Sequence, residues 1–279
     1  MKYTVLTLFP EITDAFFANS IMARAIKRGI IEYRAINIRD FATDKHKTCD
    51  DAPYGGGPGM LMLPEPLGLA IESALSGETA GTVAVDASLS TLQTPLPKPR
   101  IIYLSPSGRP FNQELARELA DERELILICG RYEGIDQRII DRYVDDEISV
   151  GDYVLSSGEV AALAVIDVTY RLVDSVIRAD SLAEESFSGE LLEYPQFTRP
   201  EVYDTMKVPE VLLSGHHEQI RLWRLEKRVE KTLLQRPDLI RRGRELGVYN
   251  DEIKSIIDRL VKNNSGGVEG EKDERNYGN

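Results

Sequence analysis

Three segments rich in glycine and serine each follow a short apolar run, and their residue types suit the cradling of a small ligand. They are Leu104-Ser105-Pro106-Ser107-Gly108, Gly130-Arg131-Tyr132-Glu133-Gly134-Ile135-Asp136 and Val150-Gly151-Asp152-Tyr153-Val154-Leu155-Ser156-Ser157-Gly158-Glu159. Small residues leave room and expose backbone N–H and C=O groups to a bound molecule. A fourth segment, Tyr54-Gly55-Gly56-Gly57-Pro58-Gly59-Met60, has glycines that let backbone approach phosphate. No Gly-Lys-Ser/Thr follows it and no G-x-G-x-x-G occurs, so the triphosphate P-loop and the dinucleotide fingerprint are both missing. A lone glycine-rich turn is more often plain loop. Further on, Glu184-Glu185 precede Ser186-Phe187, and Arg171 lies in the helical pattern before them. Carboxylates in such a polar stretch are ordinarily solvated. One folded over a pocket beside an arginine has the chemistry to take a proton from a nucleobase.

The elements that must position these residues alternate. Apolar runs at 3–9, 30–38, 100–104, 125–129 and 148–155 read as strands. Helical patterns occupy 11–28, 67–75, 112–122 and 158–173. Leu125-Ile126-Leu127-Ile128-Cys129 is apolar without a break, as in a strand covered on both faces, so an α/β fold with a mainly parallel sheet is expected. Ligands of such sheets sit beyond the carboxyl ends of the strands, which is where the three segments fall. Residues 43–64 read as loop, and 86–99, with Pro95, Pro97 and Pro99, as an exposed excursion without function.

Beyond residue 176 the character changes. Residues 178–193 are polar and acidic, as a linker or lid would be. A helical period over 219–234 puts Leu222, Leu225, Val229 and Leu233 on one face and Arg221, Arg224, Arg228 and Lys231 on the opposite one. Residues 221–244 hold nine bases and three acids, in a chain whose 46 acids and 34 bases leave a net charge of −12. A solvated face is the ordinary reading, but that excess points to phosphate contact. Residues 218–262 carry twelve bases and eight acids, net +4, so the remainder carries −16. The acidity excludes an indiscriminate nucleic-acid coat and not a local basic face.

An apolar fraction of 42% excludes a disordered chain, and no run approaches the roughly 18 apolar residues of a membrane span. Two cysteines and three histidines are too few for a disulfide scaffold or a zinc module, so no metal site is assigned. The carboxylates of Glu133 and Glu185 are the ones that could hold Mg²⁺ transiently. The first ten residues read as a strand and not as a secretion signal, so a cytoplasmic protein without membrane contact is expected. Residues 251–261 suit a helix and 263–279 a disordered tail.

The strings YGGGPGM, LSPSGR, CGRYEGID, VGDYVLSSGE, ESF, YPQFTRPEV and VLLSGHHEQIRLWR occur in this order. Together they closely resemble bacterial tRNA (guanine-N1)-methyltransferases of the SPOUT class, over residues 1–262 apart from 86–99. The resemblance implies a knotted α/β domain at 1–177, a linker or lid at 178–193, a helical tRNA-binding domain at 194–262 and a tail at 263–279. Its deep trefoil knot is a feature that no periodicity reveals. It implies S-adenosylmethionine as methyl donor, in a pocket mapped onto Tyr103, Leu104, Ser105 and Pro106. The second wall is Gly130, Tyr132 and Glu133, and the third Ser149, Val150, Gly151, Tyr153, Leu155, Ser157 and Gly158. The tRNA anticodon arm is assigned to Gly55, Gly56, Gly57, Gly59, Arg221, Arg224, Arg228 and Lys231.

The resemblance further implies an obligate homodimer with active sites shared between chains, methylating the guanosine immediately 3′ of the anticodon. Its base, an aspartate in the family, falls on Glu185, with Glu184 as fallback, and its arginine on Arg171. Glutamate adds about 1.5 Å of reach. Ser157 stands where the family usually has glycine, and there it narrows the pocket or adds a hydroxyl contact. The competing expectations are a SPOUT enzyme for another RNA position, a non-catalytic RNA-binding protein and a metal-free nucleotide-binding regulator, the last discouraged by the missing P-loop lysine.

Overall fold

The structure, a computed structural model, describes residues 1–76, 98–177 and 184–266. Most of the expected excursion at 86–99, the first part of the expected linker (178–183) and most of the expected tail (267–279) lie outside the described residues. The chain divides into two compact units, Met1–Ile177 and Arg178–Asn279.

The first unit runs β1 (Lys2–Thr7), α1 (Pro10–Phe17), α2 (Ser20–Lys27), β2 (Glu32–Asn37), β3 (Asp50–Asp51), β4 (Leu61–Met62) and α3 (Pro64–Ser76). It continues with β5 (Arg100–Pro110), α4 (Gln113–Ala120), β6 (Glu124–Cys129), α5 (Gln137–Tyr143), β7 (Asp146–Ser149) and α6 (Gly158–Leu172). Five strands form one sheet in the order β2-β1-β6-β5-β7, and every neighbouring pair is parallel. The α/β expectation with a mainly parallel sheet is thereby met.

Side chains along the central strands alternate between two cores. Leu125, Leu127 and Cys129 of β6 join Tyr3 and Val5 of β1 under α1, α2, α4 and α6. Ile126 and Ile128 join Leu6 on the other face, under α3 and α5. The helix placement follows from crossover handedness. Connections stepping towards the β2 edge, β1 to β2 and β5 to β6, carry α1, α2 and α4 on one face. Those stepping towards β7 carry α3 and α5 on the other, as one uniform hand requires.

Three local expectations are corrected. Residues 11–28 form two helices, because Asn19 leaves helical geometry and its Nδ2 donates back to Ala15 O at 2.7 Å. The expected strand at 148–155 stops at Ser149, since Gly151 turns the chain with φ 155. The expected loop at 43–64 contains the antiparallel β3–β4 ribbon.

The second unit comprises β8 (Val202–Tyr203), β9 (Met206–Lys207), α7 (Glu210–Leu213), α8 (His217–Gln235), α9 (Pro237–Glu245) and α10 (Asp251–Gly266). Val229, Ile240, Tyr249, Ile256 and Ile257 form its core together with Leu191. The later part of the expected linker is therefore folded into this unit: Leu191 is buried, and Leu192 N donates to Thr232 Oγ1 at 2.8 Å. Residues 263–266, expected in the tail, belong to α10, which continues to Gly266.

Candidate active site

A bulge, a turn and a helix start build the site. Leu104 and Arg109 of β5 both register with Ile148 of β7, so residues 105–108 swing out of the sheet. Gly108 makes the return feasible, because a Cβ there would overlap the backbone of Glu147 and Ile148. At the end of β6, Gly130 passes so close to Tyr103 that a Cβ would lie 2.9 Å from its ring. The first residue of α6, Gly158, donates its N–H to Gly130 O at 2.9 Å, and a Cβ on it would lie 2.6 Å from Gly130 N.

These walls enclose a cavity of about 280 Å³ at the carboxyl ends of β5, β6 and β7. All fourteen residues expected in the donor pocket border it. The first wall is Tyr103, Leu104, Ser105 and Pro106, and the second is Gly130, Tyr132 and Glu133. The third is Ser149, Val150, Gly151, Tyr153, Leu155, Ser157 and Gly158. Burial pushes the Tyr103 phenol up, and nearby Glu147 adds to the shift. Tyr132, at φ 57, donates to Asp50 Oδ1 at 3.2 Å, and burial and that carboxylate raise its phenol.

The glycine loop backs the second wall. Gly55, Gly56, Gly57 and Gly59 all have positive φ, and a Cβ on Gly59 would overlap the Glu133 side chain. Glu133 N donates to Met60 O at 3.0 Å, and Tyr54 beside the glycines is fully exposed.

Comparison with known proteins decides the lineage. Residues 1–242 match the family model described as tRNA (Guanine-1)-methyltransferase TrmD. The chain belongs to this family. Relatives named tRNA (guanine-N(1)-)-methyltransferase include one from Treponema denticola, 59% identical over 257 residues, 92% of this chain and 98% of the relative. One from Treponema pallidum is 55% identical over 260 residues, 93% and 96% of the two chains. One from Borrelia duttonii is 54% identical over 254 residues, 90% and 98%.

Sequence reading missed a charge pair beside the cavity. Arg131 borders the cavity, its guanidinium 4.4 Å from the centre of the Phe9 ring and its Nε 3.1 Å from Glu159 Oε2. Glu159 is completely buried and accepts from Thr7 Oγ1 at 2.5 Å. The signal available was a carboxylate in the first turn of a helix, where the backbone N–H groups favour it. Gly134, Val154 and Ser156 of the same segments also line the cavity, as do Ile148 and Ala161, which lay outside any residue singled out for it.

The basic face of α8 is a correction. Each arginine precedes an apolar residue by one position, roughly 100° around the helix, so it flanks the apolar stripe and does not oppose it. Arg221 is held by Glu218 and Glu252, at 2.8 and 2.7 Å. Arg224 lies 3.8 Å from Glu184 and over the Tyr194 ring. Arg228, half-buried, donates to Ser188 O at 2.9 Å and Leu192 O at 3.3 Å, and burial pushes its guanidinium down. Lys231, further along the helix, is partly exposed. Arg171 sits in the last turn of α6 in the first unit. Glu185 belongs to the second, where its carbonyl accepts from Ser188 N at 3.1 Å.

Proposed function

We propose that this chain transfers a methyl group from S-adenosylmethionine to N1 of the tRNA guanosine immediately 3′ of the anticodon. The observation that carries the reading is the convergence of the three glycine- and serine-rich segments on one cavity, in a chain of this family. The residues suit the donor. Leu104, Val150 and Leu155 offer apolar contact for a purine. S-adenosylmethionine supplies, when bound, a methyl group on a positively charged sulfur. A trefoil knot, a cytoplasmic location and a homodimer with active sites drawn from both chains belong to the same reading.

Guanine N1 carries a proton and attacks poorly until it is removed. The Glu185 carboxylate takes that proton, and the Arg171 guanidinium stabilises the charge that develops on O6. The glycine loop and Arg221, Arg224, Arg228 and Lys231 hold the anticodon arm, the arginines doing so from positions already used in structural contacts. Among the described residues no helix is long and apolar enough to cross a membrane.

The test is methyl transfer to tRNA transcripts carrying single changes around the anticodon, paired with variants of the two residues. Glu185→Gln is expected to abolish turnover while S-adenosylhomocysteine still binds, and Arg171→Ala to behave likewise. Full activity of Glu185→Gln moves the base role to Glu184 or removes it altogether.

A further inference from the structure

The bulge of β5 carries a hydrogen-bond chain whose direction is set by a charge. Ser107 Oγ lies 2.5 Å from Glu147 Oε1, and Ser105 Oγ lies 2.8 Å from Ser107 Oγ. The Ser107 backbone N–H also donates to Ser105 Oγ at 3.1 Å. An ionised carboxylate only accepts, so the single hydroxyl proton of Ser107 goes to Glu147. The proton between the two serines must then come from Ser105. Ser105 has spent its one proton inside the bulge, and one lone pair has gone to the Ser107 N–H. Ser105 borders the cavity, whereas Ser107 and Glu147 are not among its lining residues. What its hydroxyl can still offer a ligand is the remaining lone pair.

We propose that Glu147, acting through Ser107, fixes Ser105 as an acceptor-only group in the cavity wall, so that the site selects a ligand bringing an N–H or O–H donor to that point. The inference rests on the reading of the cavity as the S-adenosylmethionine site. S-adenosyl compounds carry such donors on the purine amine, the ribose and the amino-acid ammonium. Glu147 is a positioning residue here, touching no ligand and setting the polarity of one that does. Release of the Ser105 proton, by loss of either Glu147 or Ser107, would let that proton turn into the cavity and face the ligand's donor.

The measurement is calorimetric titration of the full-length chain with S-adenosylhomocysteine, whose neutral sulfur removes any charge attraction between Glu147 and a sulfonium. Glu147→Ala and Ser107→Ala are each expected to weaken binding by about three- to tenfold, the worth of one hydrogen bond. In a Ser105→Ala background neither is expected to matter further. Ser107 is exposed, so Ser107→Ala supplies an intact arm if Glu147→Ala disturbs β7. Equal losses with and without Ser105, or no loss at all, overturn the assignment alone. A wild-type chain that fails to bind S-adenosylhomocysteine overturns the reading of the cavity and the assignment with it.

Discussion

Replacing Glu159 by alanine is expected to destabilise the first unit by about 4 kcal/mol, a large share of the roughly 5–15 kcal/mol that holds a domain folded. The carboxylate is fully buried, with Thr7 Oγ1 at 2.5 Å and Arg131 Nε at 3.1 Å. Its removal strips the Thr7 hydroxyl of its acceptor, at about 1–3 kcal/mol. It also leaves Arg131 without its counter-charge, for which a fully buried pair would lose about 3–5 kcal/mol. Arg131 is 21% exposed and keeps the face of Phe9, so the lower end of that range applies and the two losses do not simply add. Glu159→Gln keeps the Thr7 acceptor and the volume and is expected to lose about half as much. Urea unfolding at neutral pH followed by circular dichroism measures this. The only tryptophan, Trp223, lies in the second unit, and its fluorescence serves as an internal control. Adding Arg131→Met to Glu159→Ala is expected to recover part of the loss, because it removes the stranded cation. Both single variants within about 1 kcal/mol of wild type would refute the reasoning, since broken buried pairs do not behave that way.

Further expectations concern glycines, pH and salt. Gly158→Ala brings its Cβ against the backbone of Cys129 and Gly130 and should lose about 1–3 kcal/mol. Gly130→Ala first meets the Tyr103 side chain, not backbone, and should lose less stability and less S-adenosylhomocysteine affinity. Burial raises the Tyr249 phenol from 10.0 to about 12 while its hydroxyl donates to Glu190 O and Leu239 O. A raised acid pKa stabilises fully below the unfolded value, so the second unit should weaken as pH climbs from 10 towards about 12, and Tyr249→Phe should flatten that decline in Trp223-monitored melts. Arg228→Ala, which frees two backbone carbonyls, should destabilise that unit by about 2–3 kcal/mol. Lys231→Ala should leave stability alone and lower the salt slope of tRNA binding by about 1.

How far the sequence could be read depended on how local each signal was. The unbroken apolar run of β6 demanded two covered faces, and the alternation of Leu127 and Ile128 between two cores supplies them. The cavity segments were legible because each combines small residues with a strand end. Asn19, by contrast, breaks a helix through a side-chain bond that an apolar pattern does not register. The short α5, Gln137–Tyr143, is mostly polar and depends on Asp136, which accepts from Arg138 N, to start it. Pairing of Glu159 with Arg131 also needs Thr7, 152 residues away from Glu159 in the chain, so no window of sequence contains it. The structural contacts of Arg228 were not legible for the same reason, since its acceptors lie at residues 188 and 192.

The contact between Gly158 and Gly130 has a consequence for the order of folding. Every wall of the cavity comes from a different strand end, and the last wall exists only once β7 has paired with β5 and α6 has docked on β6. The residues of α6 are also synthesised after those of all three strands. A nascent chain halted before α6 has no cavity to fill, so the ligand meets only molecules that have finished folding. Binding then acts as a latch by mass action, drawing the last-formed part of the unit towards its closed state.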